Sequence, residues 1–385
     1  MGLNAPNFAG IRLAPQYQSI SLELNSARLY KFSLPLNFEI ALKHTTLSQR
    51  QGLILVLTDT FGHVGLGEIS PLPGFNRETL ETAIYRTSML IDRIVNFGQF
   101  SAHDHQRRDV TWEHKSAPSV VNFGVETALL SLLANERKIS LGAMLYGHSS
   151  SKIPINGLLR SSLSDWVPES DFLVSEGFQT IKIKVGRIEP HLESRGIAAV
   201  RAHVGPNVRI RLDANRSWDL DTAIEFGKSV SDLDIEYIEE PLSSPTELPR
   251  FFDATGVHFA FDETLHGIID PNISLDAYTG LKAFVLKPTL IGCTARLITM
   301  VNLAKEQGIA PVISSSFESD VGLAALSQLA ASISGEDIAV GLDTRSAFAA
   351  GTTHSPCSIT NGWMPVRTLT TQDLDLSHCE LIHHI

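Results

Sequence analysis

The chain has 385 residues, of which 43% are hydrophobic and 19% are charged, and its formal net charge is −11. This length exceeds that of one ordinary compact domain, so we expect two domains with a large buried core. The acidic balance and the absence of a long Lys/Arg cluster argue against nucleic acid or an anionic membrane as the main partner.

Residues 1–150 combine strand and helix patterns. The runs 53–57 and 64–69 flank a turn-like Asp-Thr-Phe-Gly and predict a β-hairpin, and helices are predicted near 77–95 and 119–136. We therefore interpret this part as a smaller α+β domain that caps the rest of the chain.

Residues 151–345 alternate short β-branched runs with segments of helical length, the pattern of repeated βα units. The eight predicted strands lie around residues 153–158, 180–185, 208–213, 235–239, 258–262, 283–287, 311–315 and 338–342. Their crossovers predict an α/β fold, a (β/α)7β modified TIM barrel, with an open doubly wound sheet as the alternative. One crossover helix is predicted to begin at Ser217. Residues 346–385 are expected to return to the capping domain.

Polar residues stand at the ends of these otherwise apolar strands, about one βα unit apart. The series is Lys182 and Lys184, Asp213, Glu239, Asp262, Lys287, Ser314 and Asp343. Because the carboxyl ends of barrel strands converge on one mouth, we expect these side chains to share a pocket.

Three successive strand ends carry a carboxylate, namely Asp213, Glu239 and Asp262. An all-oxygen site with open positions favours Mg²⁺, and Mn²⁺ is the expected substitute. The alternative is that each acid caps a helix or pairs with a neighbouring arginine.

Lys182 and Lys184 share one face of their strand by two-residue alternation. If both point inward, each raises the cost of protonating the other, so one can be neutral near neutral pH and act as a base. Lys287 would approach from the opposite side of the barrel. With a metal that ligates a substrate carboxylate, this set predicts removal of a carbon-bound proton beside that carboxylate. Salt bridging to the three acids is the alternative.

Motifs along the chain resemble the o-succinylbenzoate synthase family of the enolase superfamily, in its muconate-lactonizing-enzyme-like subgroup. The resemblance covers about residues 27–345. The matching segments are GEISPLPGF at 67–75, PSVVNFG at 118–124, TIKIKVG at 180–186, LDANRSW at 212–218, IEEP at 238–241, FDE at 261–263, LKPTL at 286–290, ISSSFES at 313–319 and GLDT at 341–344.

The resemblance implies a carbon–oxygen lyase of menaquinone biosynthesis that carries out Mg²⁺-dependent syn-dehydration of 2-succinyl-6-hydroxy-2,4-cyclohexadiene-1-carboxylate to 2-succinylbenzoate. Carried over by motif, Lys184 accepts the proton and returns it to the departing hydroxyl, while Lys287 stabilises the enediolate intermediate from the opposite face. Asp213, Glu239 and Asp262 would hold Mg²⁺. The resemblance also implies that Lys182 contacts the substrate carboxylate and that Asn215 and Glu263 support the metal ligands.

Three further residues are candidates for substrate binding. Arg211 shares the face of Asp213 by alternation, and the resemblance also places an arginine there, although an ordinary surface arginine is the alternative. Ser314 and Ser315 offer hydroxyls and amides for the succinyl carboxylate, or they cap the next helix. Asp320 stands where a small residue is expected, and it would conflict with succinyl binding if it faced the pocket.

Two loops of the capping domain, 42–50 and 67–74, are predicted lids that exclude water. Lys43, His44 and Arg50 in the first loop could attract an anionic substrate, unless that loop is simply solvated.

The expected partner is a small carboxylate, with no nucleic acid and no membrane, and the sequence leaves the oligomeric state open. Cys293, Cys357 and Cys379 show no CxxC spacing, and neither a secretory signal nor a long apolar run is present, so a cytoplasmic location is expected.

N-acylamino acid racemase, dipeptide epimerase and muconate cycloisomerase activities remain alternatives on the same scaffold, and a non-catalytic carboxylate-binding protein is the alternative of a different class.

Overall fold

The computed structural model describes residues 21–42, 45–97, 100–101, 117–267 and 275–385. Lys43 and His44 lie outside these ranges. Within the described ranges, no helix is long and apolar enough to cross a membrane.

The first part of the chain is built on a long antiparallel hairpin. Its elements are β1 (Ser21–Leu22), β2 (Leu24–Ala41), β3 (Thr46–Asp59), β4 (Val64–Ile69), α1 (Leu80–Phe97), β5 (Phe100–Ser101), α2 (Ser119–Glu136) and α3 (Leu141–Tyr146). The predicted hairpin is present as β3 and β4, and both predicted helices are present. The predicted loop 42–50 is mostly strand instead, because the ladder between β2 and β3 continues as far as Thr46.

Glycines allow α2 to pack directly on β4. A Cβ atom at Gly67 would lie 2.0 Å from the carbonyl oxygen of Gly124, and one at Gly65 would lie 2.0 Å from that of Ala128. No larger residue fits such a contact without moving the helix. The helix is therefore held at a fixed distance from the sheet.

Parallel strands and crossover helices form the second part of the chain. Its elements are β6 (Lys152–Pro154), β7 (Gly157–Leu159), α4 (Trp166–Ser175), β8 (Thr180–Lys184), α5 (Pro190–Val204), β9 (Arg209–Asp213), α6 (Leu220–Val230), β10 (Ile235–Glu239), α7 (Leu248–Thr255), β11 (Phe259–Phe261), α8 (Glu263–Gly267), β12 (Leu281–Leu286), α9 (Pro288–Ile291), α10 (Thr294–Glu306), β13 (Ala310–Ile313), α11 (Asp320–Ile333), β14 (Trp363–Pro365) and β15 (Cys379–His384). Strands β7 to β13 pair in chain order as one parallel sheet.

An eighth segment joins the two edges of this parallel sheet. Val340 N donates to Pro154 O at 2.9 Å, and Gly341 N donates to Ile313 O at 2.8 Å. The predicted eighth strand thus closes the ring through isolated bridges, and the predicted α/β fold, a barrel with an α+β cap, is confirmed. The first predicted strand differs, because residues 152–154 form β6, which pairs antiparallel with β14, before β7 begins.

Buried carboxylates of the capping elements cap two barrel helices. Glu126 of α2 accepts hydrogen bonds from the backbone N–H and the hydroxyl of Thr294, both at 2.7 Å, at the start of α10. Glu68 of β4 accepts from the N–H groups of Ser319 and Gly322, both at 2.8 Å, at the start of α11. Because the first N–H groups of a helix lack intrahelical partners, these carboxylates satisfy donors that would otherwise be buried and unpaired. Strand β15 adds a further tie by pairing with β2.

We predict that Glu126→Ala lowers the stability of the whole protein. The change removes the acceptor for both Thr294 donors, and an unsatisfied buried polar group costs about 1–3 kcal/mol. Urea unfolding followed by circular dichroism measures the loss as a lower midpoint. Glu136→Ala is the matched control on the same helix, because Glu136 is 41% exposed and its loss should change stability by less than about 0.5 kcal/mol. Equal midpoints for the two variants would contradict the capping role.

Candidate active site at the barrel mouth

Charged residues from neighbouring strands meet at one end of the barrel. In the parallel register Lys184 lies beside Asp213, and Asp213 lies beside Glu239. Asp262 and Lys287 directly follow β11 and β12. The predicted lysines and acids therefore belong to one cluster at the carboxyl ends of the strands.

Lys182 lies between two of the predicted metal ligands. Its Nζ atom is 2.9 Å from Asp213 Oδ2 and 2.7 Å from Glu239 Oε2. Burial alone would lower the pKa of Lys182, but attraction to the two carboxylates outweighs it and raises the pKa well above its ordinary value. Lys182 is thus a fixed cation that offsets the charge of the acids.

Lys184 has the opposite electrostatic character. Burial lowers its pKa, and the charges of Lys182, Arg187 and Lys287 lower it further, although Asp213 opposes the shift. Its Nζ atom is 3.4 Å from Asn215 Oδ1, a longer contact than those of Lys182. Of the two lysines on β8, Lys184 is therefore the one suited to lose its proton and act as a base.

Lys287 stands across the cluster and is paired with Asp262 through Nζ and Oδ2. The Asp262 carboxylate is the main reason that its pKa is raised despite burial. The ring centroid of Phe75, from the loop after β4, lies 5.5 Å from the Lys287 ammonium. Phe75 follows the predicted lid 67–74 directly, and the structure brings it to the site.

Glu240 is a residue that the sequence interpretation missed. It is fully buried, and its Oε1 atom accepts from the N–H groups of Asp262 and Thr264 at 2.8 and 2.6 Å. Its Oε2 atom accepts from Arg216 Nε at 2.8 Å. Glu240 therefore fixes the backbone that carries Asp262. The adjacent acid in the motif IEEP was the available signal, but only Glu239 received a role.

Within the described residues, no three acid, histidine or cysteine side chains stand in metal-ligand geometry. Lys182 bridges Asp213 and Glu239, and Lys287 pairs with Asp262. The donor set nevertheless fits a hard divalent cation. It consists of carboxylate oxygens only. Among the residues that the structure describes, buried Glu239 Oε1 and Glu263 Oε2 have no hydrogen-bond partner. Burial and the nearby Asp213 charge raise the pKa of Glu239 well above its usual range, a cost that a bound cation would relieve.

Arg211 lies away from this cluster. It is 1% exposed and bonds Glu236 Oε2 at 2.6 Å and Ala339 O at 2.7 Å. Glu236 stands near the start of β10, so these bonds run toward the amino ends of the strands. The proposed contact of Arg211 with substrate remains a prediction.

Ser314 and Ser315 lie at the barrel mouth, and most of their hydrogen-bonding groups already have partners. The N–H of Ser314 donates to Leu286 O and that of Ser315 to Gly341 O, at 2.8 and 3.0 Å. The Ser315 hydroxyl also donates to Glu318 Oε2 at 2.7 Å. Among the described residues, the Ser314 hydroxyl makes one long contact, to Gly341 O at 3.5 Å. Succinyl binding by these serines remains a prediction.

Arg50 and Asp320 make structural contacts. Arg50 is 1% exposed and donates to the carbonyl oxygens of Ser70, Pro71 and Phe317, so it ties the loop after β4 to the loop after β13. Asp320 accepts from Arg345 Nε at 2.8 Å and from the N–H groups of Thr352 and Cys357. The Asp320 carboxylate is thus engaged by the segment after the eighth strand.

The chain matches two family profiles, "Enolase C-terminal domain-like" over residues 169–370 and "MenC, N-terminal domain" over residues 24–132. The o-succinylbenzoate synthase of Vibrio cholerae serotype O1 (strain M66-2) is 32% identical over 331 residues, which are 85% of this chain and 91% of that protein. The enzyme of the same name from Aliivibrio salmonicida is 33% identical, covering 84% and 92%. A dipeptide epimerase from Enterococcus faecalis V583, crystallised with Mg and L-Leu-L-Tyr, shares the fold with a TM-score of 0.75 at 18% identity, covering 93% and 99%. The chain therefore belongs to the enolase superfamily and, within it, to the o-succinylbenzoate synthase family.

Proposed function

We propose that this protein is an o-succinylbenzoate synthase, a hydro-lyase that converts 2-succinyl-6-hydroxy-2,4-cyclohexadiene-1-carboxylate to 2-succinylbenzoate in menaquinone biosynthesis. The observation that carries the proposal is the pairing of a pKa-lowered Lys184 with a cationic Lys287 across a set of carboxylates. The curated relatives of the same name, at about one-third identity over most of the chain, support it.

In the proposed reaction, neutral Lys184 removes the proton from the ring carbon that bears the carboxylate. The electron pair moves into the carboxylate, giving an enediolate, and then expels the hydroxyl from the neighbouring carbon. Protonated Lys184 returns its proton to that hydroxyl on the same face, so water leaves and the ring becomes aromatic. A lysine that serves as both base and acid needs only a short movement between the two positions.

The cations of the site would stabilise the developing charge. Lys287 remains protonated and faces the enediolate from the opposite side, while Lys182 contacts the substrate carboxylate. A Mg²⁺ ion held by Asp213, Glu239 and Asp262 would supply additional positive charge at that carboxylate. Asn215 and Glu263 would orient the ligands and Lys184.

A direct assay measures loss of cyclohexadiene absorbance in the presence of Mg²⁺, beside a panel of dipeptides, N-acylamino acids and muconate. We expect turnover of the cyclohexadiene substrate and loss of that turnover with a chelator, restored by Mg²⁺ or Mn²⁺. Turnover of panel compounds alone would overturn the proposed substrate, and a rate insensitive to the chelator would overturn the role of the metal.

Lys184→Ala is predicted to lower kcat by about 10²–10⁴-fold or more, because the proposed base is lost. Circular dichroism and Mg²⁺ titration should report an intact fold and metal site. Lys282→Ala is the matched control, since Lys282 is exposed near the start of β12. Retention of activity by Lys184→Ala would exclude Lys184 as the base.

The pH dependence follows from the lowered pKa of Lys184. Only the neutral amine accepts a proton, so kcat/KM should rise with pH through a pKa below the ordinary lysine value of about 10.4 and fall as pH drops through it. Arg187→Met removes one of the repelling charges and should move the rise in kcat/KM to higher pH by less than about one unit. Arg195→Met, a change on the exposed face of α5, should leave the pH of this rise unchanged. A rise at the ordinary lysine pKa in the unmodified protein would contradict the assignment of Lys184 as the base.

A further inference from the structure

A further cationic residue, Arg160, stands at the barrel mouth beside the cluster described above. Arg160 directly follows β7, and within β7 Leu158 is in register with Lys182 of β8. Because Arg160 is two residues after Leu158 and Lys184 is two residues after Lys182, Arg160 lies at the level of Lys184. On the other side of β7, Asp343 ends the eighth segment, and its Oδ2 atom accepts from Leu158 N at 2.9 Å. Arg160 and Asp343 thus line the same mouth as the two lysines of β8.

The position of the Arg160 guanidinium is fixed by three groups. Its Nη2 atom bonds the carbonyl oxygen of Asp343 and lies 3.1 Å from Asp343 Oδ2, and its Nη1 atom donates to Leu158 O at 3.1 Å. The Arg160 backbone is also held, because its N–H and that of Ser161 both donate to the Glu169 carboxylate of α4, at 2.9 and 2.8 Å. The side chain is therefore preorganised before any ligand binds.

Part of this guanidinium remains available to a ligand. A guanidinium has five N–H donors, and the contacts with Asp343 and Leu158 use three of them. The other two have no hydrogen-bond partner among the described residues, and the side chain is 27% exposed. Asp343 also offsets the arginine charge, so the site would recognise an anion by directed hydrogen bonds more than by long-range attraction.

The proposed substrate has a second carboxylate, on its succinyl arm, that needs a partner. The N–H groups of Ser314 and Ser315 are already used in the barrel ladder. Lys182 and Lys287 are each paired with acids of the predicted metal site. We infer that Arg160, oriented by Asp343, binds the distal carboxylate of a substrate with two carboxylates and thereby selects such substrates. This inference rests on the proposed function and adds the residue that binds the distal carboxylate of the substrate.

The test compares two ligands on the Mg²⁺-loaded protein by calorimetry. One is 2-succinylbenzoate, and the other is 2-butyrylbenzoate, in which a methyl group replaces the distal carboxylate. A charge-assisted hydrogen bond predicts that the unmodified protein prefers the succinyl ligand by about 10- to 100-fold. Arg160→Met should abolish this preference by weakening the succinyl ligand alone, and Arg160→Lys should restore part of it. Asp343→Asn should reduce the preference less than Arg160→Met does.

Arg209→Met is the matched control, because Arg209 is exposed at the opposite end of β9 and donates to Asp337 O. It should keep the full preference. An unchanged preference in Arg160→Met, or equal weakening of both ligands, would overturn the inference and leave the proposed dehydration intact. If the unmodified protein neither binds the succinyl ligand nor turns over the cyclohexadiene, the proposed function fails, and the inference fails with it.

Discussion

The structure depends on the compensation of charge at the carboxyl ends of the barrel strands. Asp213 and Glu239 are almost fully buried side by side, and the Lys182 ammonium within 3 Å of both offsets part of their repulsion. A buried acid without a partner would be neutral or would destabilise the fold. Among the described residues Lys184 makes no ion pair with an acid, and burial together with the nearby Lys182 charge lowers its pKa. The base role proposed for Lys184 therefore depends on the ion pairs made by its neighbour Lys182.

The capping elements are joined to the barrel by the same physical means. Glu68 and Glu126 reach across to the first turns of two barrel helices, and Arg50 holds carbonyl groups from both sides of the junction. These contacts anchor the loop after β4, which carries Phe75 to within 5.5 Å of Lys287. The loop that carries Phe75 is consequently fixed at its base by buried polar contacts with Arg50.

The sequence predicted the barrel because βα periodicity and polar strand ends repeat along the chain, and local alternation correctly placed Lys182 and Lys184 on one face. It did not predict the long reach of β3, because Thr46, Ser48 and Gln49 are exposed polar residues and this segment lacks the buried apolar alternation that indicates a strand. Helix α6 begins at Leu220 with Asp219 as its N-cap, whereas Ser217 was predicted, because the Ser217 hydroxyl donates to Ala214 O instead. The contacts of Glu240 and Arg160 run across strands, and spacing along one strand does not reveal them.

The proposed reaction requires two lysines that face each other across a cation held by three strand-end carboxylates. A crystal structure with Mn²⁺ and 2-succinylbenzoate, with data recorded at the manganese edge, would reveal this arrangement. We expect one anomalous peak within ligand distance of Asp213, Glu239 and Asp262, with the Lys184 and Lys287 amines on opposite faces of the product ring. A peak elsewhere, or both amines on one face, would contradict it.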